Sequence, residues 1–157
     1  MTEKNYTRTI SVKASPEIIY SALTEGYEHW WTTAGGSVFK QVGDRLKFTF
    51  APLVSYWTLE AKVLKPNERV ELDCVEAYHE FDSQSDSAKR EWLGTSLLWT
   101  IIPKGDYTDI EFTHRGLTPE LHCFGVCEKG WDLFFLSSLK AYLDTGVGTP
   151  FNEGMAQ

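Results

Sequence analysis

The chain has 157 residues, 42% of them hydrophobic and 14% aromatic, so we expect residues 1–157 to form a single domain whose core needs neither disulfides nor a metal. Its formal net charge of −7 and sequence pI near 5.1 disfavour nucleic acid and anionic membranes as partners, because both would repel an acidic surface. The N-terminus lacks the apolar core of a signal peptide and no apolar run is long enough to span a membrane, which predicts a cytoplasmic protein.

The first predicted elements are a strand and two short helices. Apolar and polar side chains alternate from Tyr6 to Val12, which indicates a half-buried strand. A helix to about Thr24 follows, because Ser15 can cap its start and Pro16 suits its first turn. Residues 27–31 then form a second short helical or turn segment.

From about residue 38 the hydrophobic period changes to two, which predicts a run of about six strands. The alternating segments are residues 38–42, where the pattern is weak, and 46–50, 57–63, 70–74, 97–101 and 110–114. A turn at Pro66-Asn67 makes a hairpin of the third and fourth segments. The polar stretch Glu80–Glu91 carries no period, so we expect an exposed connection there.

The phase of these strands predicts which side chains face inward. His114 continues the inward phase of Ile110 and Phe112, whereas Glu111 falls between them on the opposite face. The carboxylates of the other strands are also out of phase with the apolar residues, so we interpret Glu60, Glu71, Asp73 and Glu111 as part of the solvated face of the sheet.

One long helix is predicted over Pro119–Leu143, with Thr118 as its N-cap and Gly146 beyond its end. One wide face of this helix is largely aromatic: Phe124, Cys127, Trp131, Phe134, Phe135, Ser138, Leu139 and Tyr142. Such a face is too broad for a coiled coil and too interrupted by charges for a membrane span. It therefore needs a large apolar surface to cover it, such as a sheet.

The fold class that follows is α+β, with a curved antiparallel sheet of about six to seven strands gripping the C-terminal helix. Strands and helices do not alternate along the chain, so parallel βαβ units are not predicted. The antiparallel arrangement is favoured because the strands follow one another directly along the chain.

The order and spacing of three stretches resemble a known superfamily. They are ISVKASPEIIYSALTE followed by HWW, LLWTIIPKGDYTDIEFTHRGL in the last hairpin, and GWDLFFLSSLKAYLDTG in the long helix. They are similar to the helix-grip superfamily of START-like (SRPBCC), polyketide-cyclase-like and birch-pollen-allergen-like proteins. Within it, the chain most resembles the branch named after the C-terminal domain of the heat-shock-protein-90 ATPase activator. The resemblance implies a ligand cavity between the sheet and the helix.

The candidate ligand-binding residues are the large side chains predicted to face that interior. They are Trp31, Phe48, Trp57, Trp99, Phe112, His114, Trp131, Phe135 and Tyr142. These rings could simply interlock as a core, but the resemblance implies that part of the space is left to a ligand. The leading hypothesis is therefore the binding of a small apolar or aromatic molecule, with no cofactor.

Two other functions stay open. The first is a polyketide cyclase, dehydratase or hydrolase type of enzyme that uses the same cavity, with His114 as the only catalytic candidate. A buried imidazole could transfer a proton or anchor a ligand, but we favour a core histidine that bonds to a backbone carbonyl or lies at a strand end. The second is a chaperone partner that acts like an ATPase activator through its acidic surface.

No metal site is expected. His122, Cys123 and Cys127 lie close in sequence, but their helical angles point them in different directions. An odd number of cysteines without a secretory signal predicts reduced thiols. Glycine-rich phosphate loops, dinucleotide fingerprints, zincin helices and nucleophile elbows are absent from the sequence.

Overall fold

The computed structural model describes residues 5–31, 39–49, 56–78, 92–121 and 124–150. The strands are β1 (Tyr6–Val12), β2 (Arg45–Thr49), β3 (Tyr56–Lys65), β4 (Arg69–Tyr78), β5 (Ser96–Lys104) and β6 (Tyr107–Arg115). After β1 come α1 (Pro16–Thr24) and a 3₁₀ helix (Tyr27–His29). The C-terminal helix has three parts, which are α2 (Phe124–Trp131), a π-helical segment (Asp132–Leu139) and α3 (Lys140–Thr145).

The six strands form one open, curved antiparallel sheet in the order β1-β6-β5-β4-β3-β2. Strands β2 to β6 are therefore a meander of neighbours, and β1 closes the sheet against the last strand. The C-terminal helix covers the concave face. This architecture confirms the predicted α+β class. None of the helices in the described ranges is long and apolar enough to cross a membrane.

The predicted strand phase is also confirmed. In β6, Ile110, Phe112 and His114 are fully buried while Glu111 is exposed. The register pairs Phe112 with Trp99 of β5, so two inward rings lie directly opposite each other and stack with centroids 4.9 Å apart. Period-two burial thus places the large side chains on the face that the helix covers.

The predicted N-cap of α1 and the predicted turn between β3 and β4 are both confirmed. The Ser15 hydroxyl accepts a hydrogen bond from the Ile18 amide at 3.3 Å, as an N-cap residue should. Asn67 has a left-handed φ of 65° in the turn between β3 and β4. The predicted connection 80–91 lies outside the described residues.

One weak strand prediction was wrong. Of the segment 38–42, the described residues 39–42 form a bend that leads into a turn. The Asp44 carboxylate accepts hydrogen bonds from the amides of Lys40 and Gln41 at 2.8 and 3.1 Å, so these groups are not available to a neighbouring strand. Pairing with β3 begins only at Arg45.

The start of the C-terminal helix also differs from the prediction. Residues 118–121 form a turn that the Leu121 amide closes on the Thr118 carbonyl, and α2 begins at Phe124. The buried Leu117 is tied to β1, because its carbonyl accepts the Tyr6 amide at 2.9 Å. This long-range anchor prevails over the local capping signal at Thr118. The far end matches the prediction, since the helix finishes at Gly146.

The predicted inward face of this helix is confirmed despite the change to π-helical hydrogen bonding at its centre. Trp131, Phe135 and Leu139 are buried, whereas Lys129 and Leu133 are exposed. A π-helix bonds each amide to the carbonyl five residues earlier and is rare. The apolar pattern carries no mark of it, which is why the sequence predicted an ordinary α-helix.

Charged and polar groups fix the helix along β1. The Tyr6 hydroxyl donates to Asp132 at 2.7 Å, and burial followed by this hydrogen bond raises the Tyr6 pKa. Arg8 forms ion pairs with both Glu128 and Asp132. Farther along, the Lys140 ammonium donates to the carbonyl of Ser11 at 2.7 Å. These contacts cover the free edge of β1, which would otherwise present unpaired backbone groups.

We predict that Gly116→Ala destabilises the fold more than Gly105→Ala does. Both glycines have positive φ, at 100° and 77°, so each substitution costs about 1–2 kcal/mol of backbone strain. A methyl group at 116 would also lie 2.8 Å from Cγ2 of Thr95, whereas at 105 it meets nothing within 4 Å. Urea unfolding should therefore show a loss of about 3 kcal/mol or more for Gly116→Ala. Equal losses for the two variants would contradict this packing.

Candidate functional site

Trp131 lies at the centre of an aromatic interior between the C-terminal helix and the sheet. Its ring centroid is 4.6 Å from that of Phe112, 5.1 Å from Trp31, 5.8 Å from Trp92 and 6.5 Å from Trp99. Only 2% of Trp131 is exposed. Trp131, which the sequence placed at the middle of the helical face, thus contacts rings from β5 and β6, from the residue after the 3₁₀ helix turn (Trp31) and from the segment before β5 (Trp92).

Further rings extend this group towards β2 and β3. Trp31 contacts Phe48 with centroids 4.8 Å apart, and Trp92 contacts Trp57 at 4.4 Å. We define the aromatic cluster by these buried rings: Tyr27, Trp31, Phe48, Trp57, Trp92, Trp99, Phe112, Trp131 and Phe135. The interplanar angles range from stacked to perpendicular, so the rings interlock without forming a single stack.

The structure brings the predicted site residues together with one exception. Trp31, Phe48, Trp57, Trp99, Phe112, Trp131 and Phe135 all belong to the aromatic cluster, and His114 contacts it. Tyr142 is half-buried and stacks on His29 instead, with centroids 5.1 Å apart. It shares the helical face but lies about three turns beyond Trp131, where the face meets the 3₁₀ helix rather than the sheet.

Sequence reasoning missed two members of the cluster: Tyr27, which lies in the 3₁₀ helix, and Trp92. Trp92 follows the polar stretch 80–91 and precedes β5, so no periodic pattern marks it. It is 4% exposed, and its indole N–H donates to the Cys127 sulfur at 3.2 Å. A single large aromatic residue at the end of a polar stretch was the available signal.

Hydrogen bonds engage both ring nitrogens of His114. The Trp131 indole N–H donates to Nδ1 at 3.0 Å, which requires that Nδ1 carries no proton. Nε2 therefore bears the hydrogen and donates to the Thr95 hydroxyl at 2.8 Å. Thr95 in turn donates to the carbonyl of Trp92 at 2.6 Å. One chain of hydrogen bonds links the helix, β6 and the segment before β5.

Burial makes the neutral form of this histidine the stable one. His114 is fully buried among aromatic rings, and desolvation lowers its pKa from 6.5 to about 3. Its predicted inward position is confirmed. Of the two predicted roles, the arrangement matches a core histidine whose nitrogens are both hydrogen-bonded, with side-chain partners rather than a backbone carbonyl.

The Trp99 indole differs from three other buried indoles, which donate to acceptors within the protein. The N–H groups of Trp30, Trp92 and Trp131 donate to Ala22, Cys127 and His114. The Trp99 N–H is buried and donates to no acceptor among the described residues. A buried donor without an acceptor costs about 1–3 kcal/mol. An acceptor placed next to the Trp99 N–H, beside Phe112 and Trp131, would remove this cost.

The ionised groups around Glu60 lie on the other face of the sheet. Glu60 pairs with Lys62 at 2.7 Å and with Arg45 at 2.9 Å, and the hydrogen bonds from Lys62 and then Arg45 lower the Glu60 pKa. This placement confirms the predicted solvated face. On the helix side, ion pairs lie along β1, and the aromatic cluster itself consists of uncharged side chains.

The described residues hold no group of three or more His, Cys, Asp or Glu side chains that could bind a metal. Cys127 is a free, buried thiol that accepts the Trp92 indole N–H, and Cys74 is also free. Burial raises the pKa of the Cys74 thiol to about 12. His122 and Cys123, the other members of the sequence cluster, lie outside the described residues.

We predict that His114 makes the free energy of unfolding depend on pH between about 4.5 and 6.5. In this window the unfolded histidine binds a proton that the folded one, with its pKa near 3, does not. Stability should therefore fall as the pH is lowered through 6.5, by up to about 1.4 kcal/mol per unit. His114→Gln should remove this slope, while the exposed His29 gives a control, His29→Gln, that keeps it. An unchanged slope in His114→Gln would contradict the assignment.

Comparison with known proteins identifies relatives of this arrangement. The family model described as "Activator of Hsp90 ATPase homolog 1-like protein" matches residues 13–144. The solution structure of the Aha1 dimer from Colwellia psychrerythraea is 30% identical, covers 92% of this chain and 99% of its own, and gives a TM-score of 0.71. No curated protein matches the chain in sequence.

More distant structures share the fold. A crystal structure from Mesorhizobium loti is 20% identical, with 83% of this chain and 92% of that one covered and a TM-score of 0.64. DynU16, a protein of the dynemicin biosynthetic locus, is 16% identical with a TM-score of 0.67, and the match covers 94% of this chain and 49% of that one. The family match, the similarity to Aha1 over nearly the whole chain and the helix-grip architecture agree. The chain belongs to the activator of Hsp90 ATPase homolog 1-like family, a branch of the START-like (SRPBCC) proteins.

Proposed function

We propose that this protein binds a small apolar or aromatic molecule within the aromatic cluster, as a single-domain cytoplasmic protein that needs no cofactor. The observation that carries the proposal is the buried Trp99 indole N–H, which lacks an acceptor among the described residues. It lies where Phe112 and Trp131 approach from β6 and the helix. A ligand with a carbonyl oxygen or ring nitrogen would supply that acceptor.

The contacts within the cluster support a flat ligand. Trp31, Trp92 and Phe112 meet Trp131 mainly through dispersion and ring-edge contacts at 4.6–5.8 Å. Such contacts have little directionality, so a planar molecule can replace some of them while keeping the interior dry. Charged ligands are disfavoured, because the interior offers neutral partners and desolvation of a charge is costly.

The bonding of His114 favours binding over catalysis. Before this ring could take a proton, it would have to break its hydrogen bond with Trp131, because Nδ1 is the nitrogen without a hydrogen. Its pKa near 3 also makes it a weak base at neutral pH. A cyclase-type role therefore has less support from the geometry than ligand binding.

A second candidate function is interaction with an Hsp90-type chaperone. The family description and the 30% identity to an Aha1 protein support it. We predict that, in this role, the purified protein raises the ATP turnover of a bacterial Hsp90 severalfold, with saturation as its concentration increases. A denatured sample gives the control in a coupled ATPase assay. Unchanged turnover, together with no complex on gel filtration, would contradict this candidate.

We predict that the wild-type protein takes up the uncharged probe N-phenyl-1-naphthylamine saturably, at about one molecule per chain. Bound probe should gain emission and quench tryptophan emission, because Trp31, Trp92, Trp99 and Trp131 surround the proposed site. Fluorenone and fluorene differ only in a carbonyl group and can be compared as displacing ligands. Fluorenone should bind about threefold to tenfold more tightly, since a single hydrogen bond contributes about 0.5–1.5 kcal/mol.

Trp99→Phe should abolish the preference for fluorenone, because it removes the indole N–H. Trp30→Phe is the matched control, since the Trp30 N–H is already bonded to the Ala22 carbonyl at 2.9 Å. That variant should lose stability but keep the preference. A wild type that takes up no probe would overturn ligand binding, and a preference retained in Trp99→Phe would overturn the role of Trp99.

A further inference from the structure

Three chain segments meet on the side of the C-terminal helix that faces away from β1. The fully buried Ser138 hydroxyl donates to the Trp30 carbonyl at 2.7 Å and accepts the Thr149 amide at 2.8 Å. One side chain of the π-helical segment thus holds both the loop after the 3₁₀ helix and the chain beyond Gly146.

Gly148 brings the same segments into direct contact. A Cβ atom at this position would overlap the His29 carbonyl oxygen, and it would lie 3.1 Å from both the Ser138 carbonyl oxygen and Cβ of Tyr142. His29 also stacks on Tyr142. We call Ser138, Tyr142, Gly148 and Thr149 the C-terminal clasp, because together they hold residues 29–30 against the helix.

Trp31, the next residue along the chain, bridges the helix and the edge of the sheet. Its ring stacks on Trp131 at 5.1 Å and contacts Phe48 at 4.8 Å. Phe48 belongs to β2, which is the terminal strand of the sheet. Trp31 therefore covers the aromatic cluster at the side where the sheet ends.

The two sides of the helix are held differently. Along β1, the helix is fixed by the Tyr6–Asp132 hydrogen bond and the ion pairs of Arg8. On the β2 side, the clasp holds a short loop instead of a strand. Moving residues 29–31 breaks the bonds of Ser138, separates the stacked rings and breaks the hydrogen bond from the buried Trp30 indole to the Ala22 carbonyl. None of these residues takes part in a strand pair of the described sheet.

We propose that Trp31 is the gate of the ligand site and that the C-terminal clasp keeps it closed. This inference rests on the proposed binding of a small molecule in the aromatic cluster. When the clasp opens, residues 29–31 move away from the helix and uncover Trp131 and Phe48, so that a flat ligand enters beside β2. The clasp then sets the rate of entry, whereas the cluster sets the affinity.

Ser138→Ala tests the gate because it removes both hydrogen bonds of the clasp with little change in volume. In stopped-flow mixing with N-phenyl-1-naphthylamine, its association and dissociation rates should both rise about tenfold, with little change in equilibrium affinity. The neighbouring Ser137 is exposed, so Ser137→Ala is the matched control and should keep the wild-type rates. Gly148→Ala disrupts the clasp by steric overlap and should change the rates in the same direction.

Hydrogen exchange gives a readout without any ligand. The amides of Trp30 and Trp31, which bond to the Tyr27 carbonyl, should exchange at least tenfold faster in Ser138→Ala. Amides of β5 and β6 should keep their wild-type protection. If exchange or probe rates stay at wild-type values in both clasp variants while wild type binds the probe, the gate is overturned and ligand binding stands. If wild type binds no probe, both proposals are overturned.

Discussion

The hydrogen bond from the Trp131 indole to the His114 ring joins the C-terminal helix to the sheet among closely packed aromatic rings. Burying an indole N–H and an imidazole among aromatic rings is costly unless each polar atom finds a partner. The chain through Thr95 to the Trp92 carbonyl meets that requirement and fixes the imidazole tautomer. It also sets the position of Trp131, around which the other rings are arranged.

The helix is held to the sheet by different kinds of interaction on its two sides. Next to β1, hydrogen bonds and ion pairs cover the edge strand and resist sliding of the helix. Next to β2, the contacts are mostly ring against ring, with Ser138 supplying the polar fixation. The proposed entry of a ligand beside β2 would leave the strand pairing at β1 intact. The proposed site and its proposed gate both depend on this asymmetry.

Family membership and the site answer different questions. The similarity to Aha1 proteins establishes the architecture, while structures at 16–20% identity share that architecture alone. The proposed function depends on the interior, where the Trp99 N–H has no acceptor among the described residues and both nitrogens of His114 are hydrogen-bonded. These two residues, on neighbouring strands, favour recognition of an acceptor-bearing ligand over proton transfer.

Much of the fold could be predicted from the sequence because periodicity is local. Alternation placed Phe112 and His114 on the inner face, the Ser15 cap located α1, and the spacing from Trp131 to Leu139 identified the buried face of the helix. The same reasoning assembled most of the candidate site, since residues that share an inner face of a curved sheet and its covering helix must lie close together. Neither inference needed the tertiary structure.

Only the tertiary structure decided the features that depend on contacts between distant segments. The anchor between Leu117 and Tyr6 moves the helix start to Phe124, against a capping signal that is favourable locally. Trp92 belongs to the cluster because Cys127 and Trp57 meet it in space, although nothing adjacent to it in sequence indicates burial. The hydrogen-bond partners of His114 come from two distant segments, the C-terminal helix and the residues before β5. Periodicity reports which face a side chain takes, but partner choice and hydrogen-bond direction are fixed only when those faces are packed together.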